Sequence, residues 1–461
     1  MFENVKREHL KLFLIFLIAT SIIAISQSVV TIALVQIIDD FSISSTIAQR
    51  AFSIFLLTLG VVIPLNPFIS RRFNVRTIYS FSVGCFLIGS VICYFSVDIA
   101  TLIIGRVFQA VSFAIMMQNT QIILLKVVPE EDWQIFMGIY GFFTALVPVL
   151  GLILSGYIID TYGWKNVFAL FGIFSVLLFI VGMISVKIDL GTEDYPLDIL
   201  SVILSVVGCF GVMFGFINIK QYSIMSLYVL IPIIIGGISL IVFFKRQRSL
   251  EKPLLKMDML KNKYYAVGFF VLIIGFFMFN GCDTLIPIFI EEIAGYNAEI
   301  TSLIVFAGGF AVIIFNLIGA YLANEYGPKK PILAGGAVVL LAHIMMMSFT
   351  SNSPTIFLAA TQFIRYAGFG LLFIPISTWA ISMVPECSED GSTVYNASRE
   401  IAGSIGSAML VVVTSFLAGG DVSHTAQSVV AFHQTALLLA ILTVVIILIS
   451  IFFVKEKKDI A

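Results

Sequence analysis

Apolar runs of about 20 residues, such as LYVLIPIIIGGISLIVFF at 227–244, recur from one end of this 461-residue chain to the other. A run of that length is what a helix needs to cross the roughly 30 Å of hydrocarbon in a bilayer. The chain is 59% hydrophobic and 11% charged, where soluble chains are about 45–50% apolar and about 25% charged. Its 43 Phe residues exceed what any soluble core would take. These properties predict an all-α polytopic membrane protein and exclude a soluble domain with a single anchor.

Fourteen spans are predicted, at 12–36, 51–69, 78–97, 100–125, 134–158, 167–186, 198–218, 224–244, 265–290, 301–323, 332–350, 355–384, 401–419 and 434–454. An even count puts both termini on one side. With a cytoplasmic N-terminus, the inner segments hold 21 of the 26 Lys and Arg residues, including Arg71, Arg72, Arg76, seven from Lys245 to Lys263, Lys457 and Lys458. Only Arg50, Lys165 and Lys220 fall outside, so the positive-inside rule predicts cytoplasmic termini. The start, MFENVKREHLKLFLIFLIATSIIAI, mimics a secretory signal, but its apolar run continues through Ile38. That is too long for a signal's apolar region and reads as a retained first span.

The five cysteines are scattered, with no CxxC pair, and read as small hydrophobes without a disulfide or metal role. No glycine-rich phosphate loop and no room for a nucleotide-binding domain are present, which argues against ATP as the energy source.

Two parts of the chain echo each other. PFISRRFNVRTIYSF (67–81) and AYLANEYGPKKPILA (320–334) each join a span end to the next span through a short basic loop. Downstream of each, Arg106 in GRVFQAVS and Arg365 in IRYAGFGL interrupt similar apolar helices. The offset holds about eight spans. It divides the chain into a six-helix half (1–190), an inserted helix pair (191–250) and a second six-helix half (251–461). Duplicated halves with polar residues near the membrane centre suit a carrier, because a site between them can open to either side in turn.

At these residues the chain resembles the major facilitator superfamily, in particular its fourteen-helix drug:proton antiporter branch, over nearly its whole length. RVFQAVS in helix four matches the branch's Arg and Gln pattern, and WKNVFAL (164–170) its Trp at the start of helix six. GIYGFFTALVPVLGLILSG (138–156) is similar to the antiporter motif, with Gly141, Pro148 and Gly151 in place and Val147 where a Gly is usual. GSTVYNASREIAGSIGSAML (391–410) resembles the signature of helix thirteen. Other positions depart from the pattern. The loop after helix two has Pro67, Arg71 and Asn74 where an Asp and glycines are usual, Asn324 stands where an acid is expected, and Ser26 replaces the first-helix acid.

The resemblance implies the major facilitator fold, with helices four, nine and twelve lining a central cavity. An ionised side chain at the bilayer centre costs about 2.5–3.5 kcal/mol on insertion scales, so such groups face a cavity or a partner. Arg106, Arg365 and Asp283 are the three that qualify. At about 100° per residue, Arg106, Gln109, Phe113, Met116, Met117 and Thr120 share one arc of helix four. The expected cavity lining is Arg106, Gln109, Phe113, Met117, Asn280 and Arg365, with Ser26, Gln27 and Thr31 from helix one. Asp283 is the expected proton-coupling acid, since burial favours its neutral form and an arriving cation its charged form. A fixed salt bridge with Arg365 is the competing role.

Arg71, Arg72, Lys329 and Arg399 are expected at an inner gate, with Arg399 and Glu400 opening helix thirteen at the inner surface. Glu291 and Glu292 read as solvated acids and His343 as a packing residue. Gly138, Gly141, Ala145, Pro148, Gly151 and Gly156 form a close-packing, bending surface.

The expected function is proton-coupled export of drugs or other amphiphilic compounds by a monomer in a bacterial cytoplasmic membrane. Its expected partners are the amphiphile, protons and lipid, with no cofactor, metal or nucleic acid. Two intramembrane arginines against one acid leave open an exporter of anionic or neutral amphiphiles such as fatty acids. A membrane sensor or enzyme is the remote alternative, lacking metal-ligand spacing, a Ser/His pair and a signalling domain.

Overall fold

The computed structural model describes residues 6–455 apart from Ser44, Gln49, Asp189, 220–221 and 420–425. Lys220, Lys457, Lys458 and the side chain of Thr31 therefore lie outside the described residues. Within them every regular element is helical, and fourteen helices are long and apolar enough to cross a membrane. They are α1 Arg7–Phe41, α2 Arg50–Arg72, α3 Val75–Tyr94, α4 Ile99–Val127, α5 Trp133–Tyr162, α6 Lys165–Ser185 and α7 Ile199–Asn218. The rest are α8 Leu227–Ser249, α9 Lys263–Ile288, α10 Ala298–Tyr326, α11 Lys329–Met346, α12 Thr355–Ser382, α13 Ser388–Ala418 and α14 Ala426–Phe453.

Local chemistry sets many of the ends. Side chains of Asn74, Asp98, Asn262 and Asn297 accept hydrogen bonds from first-turn amides of α3, α4, α9 and α10. Gly163 and Gly327, at φ +86° and +81°, end α5 and α10 in a backbone region that other residues avoid.

One boundary corrects the sequence reading. Helix thirteen begins at Ser388, not near 401. SEDGSTVYNASRE looks like a loop when polarity is taken as exposure to lipid or water, yet most of it is buried against other helices. Arg399 and Glu400 are thus well inside the helix, about 17 Å from its start at 1.5 Å per residue.

The packing of the first six helices repeats in the last six. α4 packs on α1, α2 and α3, and α12 on α9, α10 and α11; α3 packs on α6 and α11 on α14; α1 packs on α5 and α9 on α13. Each set encloses its own apolar core, one around Phe16, Phe86 and Phe168, the other around Phe289, Phe349 and Phe432. The sets meet along two related seams, α5 with α10 and α2 with α13. α7 and α8 form a tight pair in which a Cβ on Gly236 would sit 2.5 Å from the Val212 amide nitrogen. This pair leans on α2 and α13. Outward-facing isoleucines such as Ile234, Ile238 and Ile241 on α8 and Ile180 and Ile184 on α6 supply an apolar exterior.

The segments flanking the inserted pair fold back beneath the bundle at its terminal end, where α1 begins and α14 finishes. The Glu193 amide donates to Arg71 O at 2.8 Å, and Tyr195 Oη to Pro253 O at 2.7 Å. The Lys256 amide reaches Asp390 Oδ1 at 3.1 Å, on the carboxylate that also pairs with Arg71.

Candidate functional site

Three arginines inside the spans organise three different polar centres. Arg106 on α4 is fully buried. Its Nη1 donates to Ser26 O at 2.7 Å and Gln109 Oε1 at 2.8 Å, its Nη2 to Gln27 O at 3.3 Å, and its guanidinium lies 4.4 Å from the centre of the Phe55 ring. Gln109 in turn donates to Ser90 Oγ at 3.1 Å. Among the described residues the centre contains no acid. Arg106, Gln109, Phe113, Met117 and Ser26 are all buried. The carbonyls of α1 take up the guanidinium and close this side of α4. Gln27 is partly exposed.

In the second half Asp283 projects from α9 toward α12. Arg365 Nη2 reaches Asp283 Oδ1 at 2.5 Å, and Tyr366 Oη donates to the same oxygen at 2.8 Å. Arg365 also donates to Phe279 O at 3.2 Å and Gln362 Oε1 at 3.0 Å. Next to this centre, Phe276 stacks on Phe373 with centroids 4.1 Å apart, and Phe279 meets Tyr366, Phe369 and Phe373 edge-on. Asn280, one turn from Asp283, donates to Phe276 O and faces Gly403 of α13.

The third centre is formed by Arg399 and Glu400, which the sequence reading put at the inner surface and the structure puts deeper, within α13. Arg399 Nη2 and Nε lie 2.8 and 3.2 Å from Glu400 Oε1, and the guanidinium lies 5.3 Å from the centre of the Phe276 ring. Arg399 Nη2 also approaches Met117 Sδ of the first half at 3.9 Å. Asp283 is therefore not the only acid inside a span. The signal was the polar face of 391–400, which becomes visible once those residues are placed on a helix.

The terminal end is closed. Arg71 on α2 pairs with Asp390 on α13, and Lys126 on α4 lies 3.1 Å from Glu389. Deeper in, Asn396 donates to Gln118 Oε1 at 2.7 Å and Gln121 Oε1 at 2.6 Å, while Gln118 Nε2 donates to Ser392 and Thr393. Of the expected gate residues, Arg71 bridges the halves at this end. Arg72 pairs with Asp194 at the surface, Lys329 donates to Ile451 O within its own half, and Arg399 lies deeper.

Gly138 and Gly141 lie on the α5–α10 seam, where a Cβ on Gly138 would come 2.3 Å from Ala320 Cβ. Gly151 is pressed on Ile25 of α1, Pro148 lies within α5, and Gly156 has open space where close packing was expected. His343 is buried against Thr443 Oγ1 at 2.9 Å, and Glu291 and Glu292 are exposed.

The Major Facilitator Superfamily sequence profile matches residues 16–407. The chain is 28% identical over 401 residues to the uncharacterized MFS-type transporter YcnB of Bacillus subtilis, covering 87% of this chain and 85% of that one. It is 27% identical over 401 residues, with the same coverage, to the lincomycin resistance protein LmrB of Listeria monocytogenes. It is also 26% identical to the multidrug transporter protein MdtP of Bacillus subtilis, covering 87% and 75%. Among solved structures, a double Trp mutant of XylE aligns with TM-score 0.66 at 13% identity, over 97% of this chain and 96% of that one. The transporter FucP aligns with TM-score 0.63 at 12% identity, over 98% and 100%. Two sets of six helices packed alike, a polar centre in each, and a profile match that runs through both have one reading: the chain belongs to the major facilitator superfamily.

Proposed function

We propose that this transporter is a proton-coupled exporter of drugs and other amphiphilic compounds, acting as a monomer in a bacterial cytoplasmic membrane with both termini cytoplasmic. Major facilitator proteins are transporters, not enzymes, so the substrate crosses chemically unchanged. The relatives named for lincomycin and multidrug resistance support an amphiphilic cargo. In this reading residues 1–190 and 251–461 rock about the α5–α10 and α2–α13 seams, and the inserted pair 191–250 rides with them.

Asp283 carries the coupling. Its carboxylate stands inside the bilayer span with Arg365 and Tyr366 on one oxygen, and its side chain is 29% exposed. Adding a proton cancels the charge that balances Arg365, so the neutral and ionised forms favour different arrangements of α9 against α12. Arg106 is sealed, and the other two intramembrane arginines each have an acid, which disfavours an anion-selective cavity.

Everted vesicles given a pH gradient provide the test. Efflux of a lipophilic dye is expected to follow the gradient in the native chain. Asp283→Asn is expected to abolish gradient-driven accumulation while leaving downhill exchange. Unchanged accumulation in that variant would reject Asp283 as the coupling acid.

A further inference from the structure

The three intramembrane arginines differ in what a ligand could reach. Arg106 is wholly buried, and Arg365 is 1% exposed with its acid held by a second donor, Tyr366. In the Arg399–Glu400 pair both partners remain accessible, at 26% and 19%. Among the described residues Glu400 has no other polar partner. The pair is formed by neighbours on one helix, which point about 100° apart and do not naturally face each other. Both side chains bend to meet. The surroundings come from both halves, with Met117 on α4 and Phe276 on α9.

From this geometry we propose that Glu400 is the residue that recognises the positive charge of a cationic amphiphile, by exchanging Arg399 for the substrate's cationic group. The inference rests on the amphiphile-transport reading and names its charge class.

The sign of the charge follows from what each partner keeps when the pair opens. If a cation takes Glu400, the freed Arg399 still has the face of Phe276 at 5.3 Å and the polarizable sulfur of Met117 at 3.9 Å. A cation over a ring is stabilised by about 0.5–2 kcal/mol. If an anion takes Arg399 instead, the freed Glu400 keeps no hydrogen bond among the described residues, and the negative faces of the rings repel it. The partly exposed ring of Phe276, backed by Phe373 and Tyr395, offers an apolar bed for the body of the substrate. The adjacent polar residues do different work: Asp283 is committed to Arg365, and Asn396 to Gln118 and Gln121.

Direct binding to the purified protein in detergent separates this inference from the transport reading. The probes are tetraphenylphosphonium, a lipophilic monocation, and triphenylphosphine oxide, a neutral compound of similar shape. Glu400→Gln is expected to weaken tetraphenylphosphonium binding by about tenfold or more. Triphenylphosphine oxide binding should stay within about twofold. Glu400→Asp should restore part of the cation affinity, and Arg399→Gln should bind the cation at least as tightly as the native chain, since the competing charge is gone. The inference is overturned by equal weakening of both probes in Glu400→Gln, by unchanged cation affinity there, by matching losses in Arg399→Gln, or by a native chain that does not bind the cation. Charge-selective binding that depends on Glu400, without gradient-driven efflux, would reject the transport mechanism and uphold the role of Glu400.

Discussion

Arg365 Nη2 lies 2.5 Å from Asp283 Oδ1, yet the arginine side chain is 1% exposed and the aspartate side chain 29%. The arginine depends on the acid more than the acid on the arginine. Asp283→Ala leaves a sealed positive charge without its counterion and is expected to cost up to about 3 kcal/mol, the low end for a buried pair because the acid's side is open to solvent. Asp283→Asn keeps an acceptor oxygen and should cost less. Thermal unfolding in detergent gives the order, and an alanine variant as stable as the asparagine one would contradict it.

The amide cluster of Gln118, Gln121 and Asn396 ties α4 to α13 with bonds of 2.6 and 2.7 Å. Asn396→Ala removes both donors and strands two glutamine oxygens, at about 1–3 kcal/mol. That favours opening of the terminal end by about tenfold. A cysteine placed at Ser392 should then react correspondingly faster with a water-soluble maleimide. An unchanged rate would show that these amides do not hold the end closed.

Gly138 allows α5 and α10 to touch. With a Cβ placed 2.3 Å from Ala320 Cβ, Gly138→Val must push the seam apart, and pairing it with Ala320→Gly should recover part of the loss. The readout is cross-linking between cysteines on the two helices at this end. It is expected to fall in the single variant and rise again in the double one.

Asp198, just ahead of α7, is held at about 2, chiefly by hydrogen bonds from Arg246 and also by Ser201. Its ordinary value is about 3.9. The ion form is favoured by the folded state, so its contribution to stability is complete above the ordinary value and disappears as pH falls toward about 2. Arg246→Gln should therefore reduce stability near neutrality and flatten this part of the acid limb. Parallel acid limbs in the two proteins would refute the linkage.

The fourteen spans were legible because hydropathy adds up along the chain wherever a helix faces lipid. The exception at α13 has the same cause. Ser392, Thr393 and Asn396 face a polar seam made of protein, and a rule built for lipid takes them for a loop. Asp283 and Arg365 were each visible as rare charges in apolar runs. Glu400 was put at the inner surface, and not within a span, by a helix start placed too late.

The chain's order of residues was enough to determine an all-helical membrane protein of this superfamily, since span length, charge placement and local motifs are properties of neighbours. Tertiary structure decided the rest. Arg106 takes carbonyls 79 and 80 residues away and no acid, Arg365 takes Asp283 82 residues away, and Arg399 faces Met117 across 282 residues. Buried charges find their partners through helix packing, and no local pattern records which faces will meet.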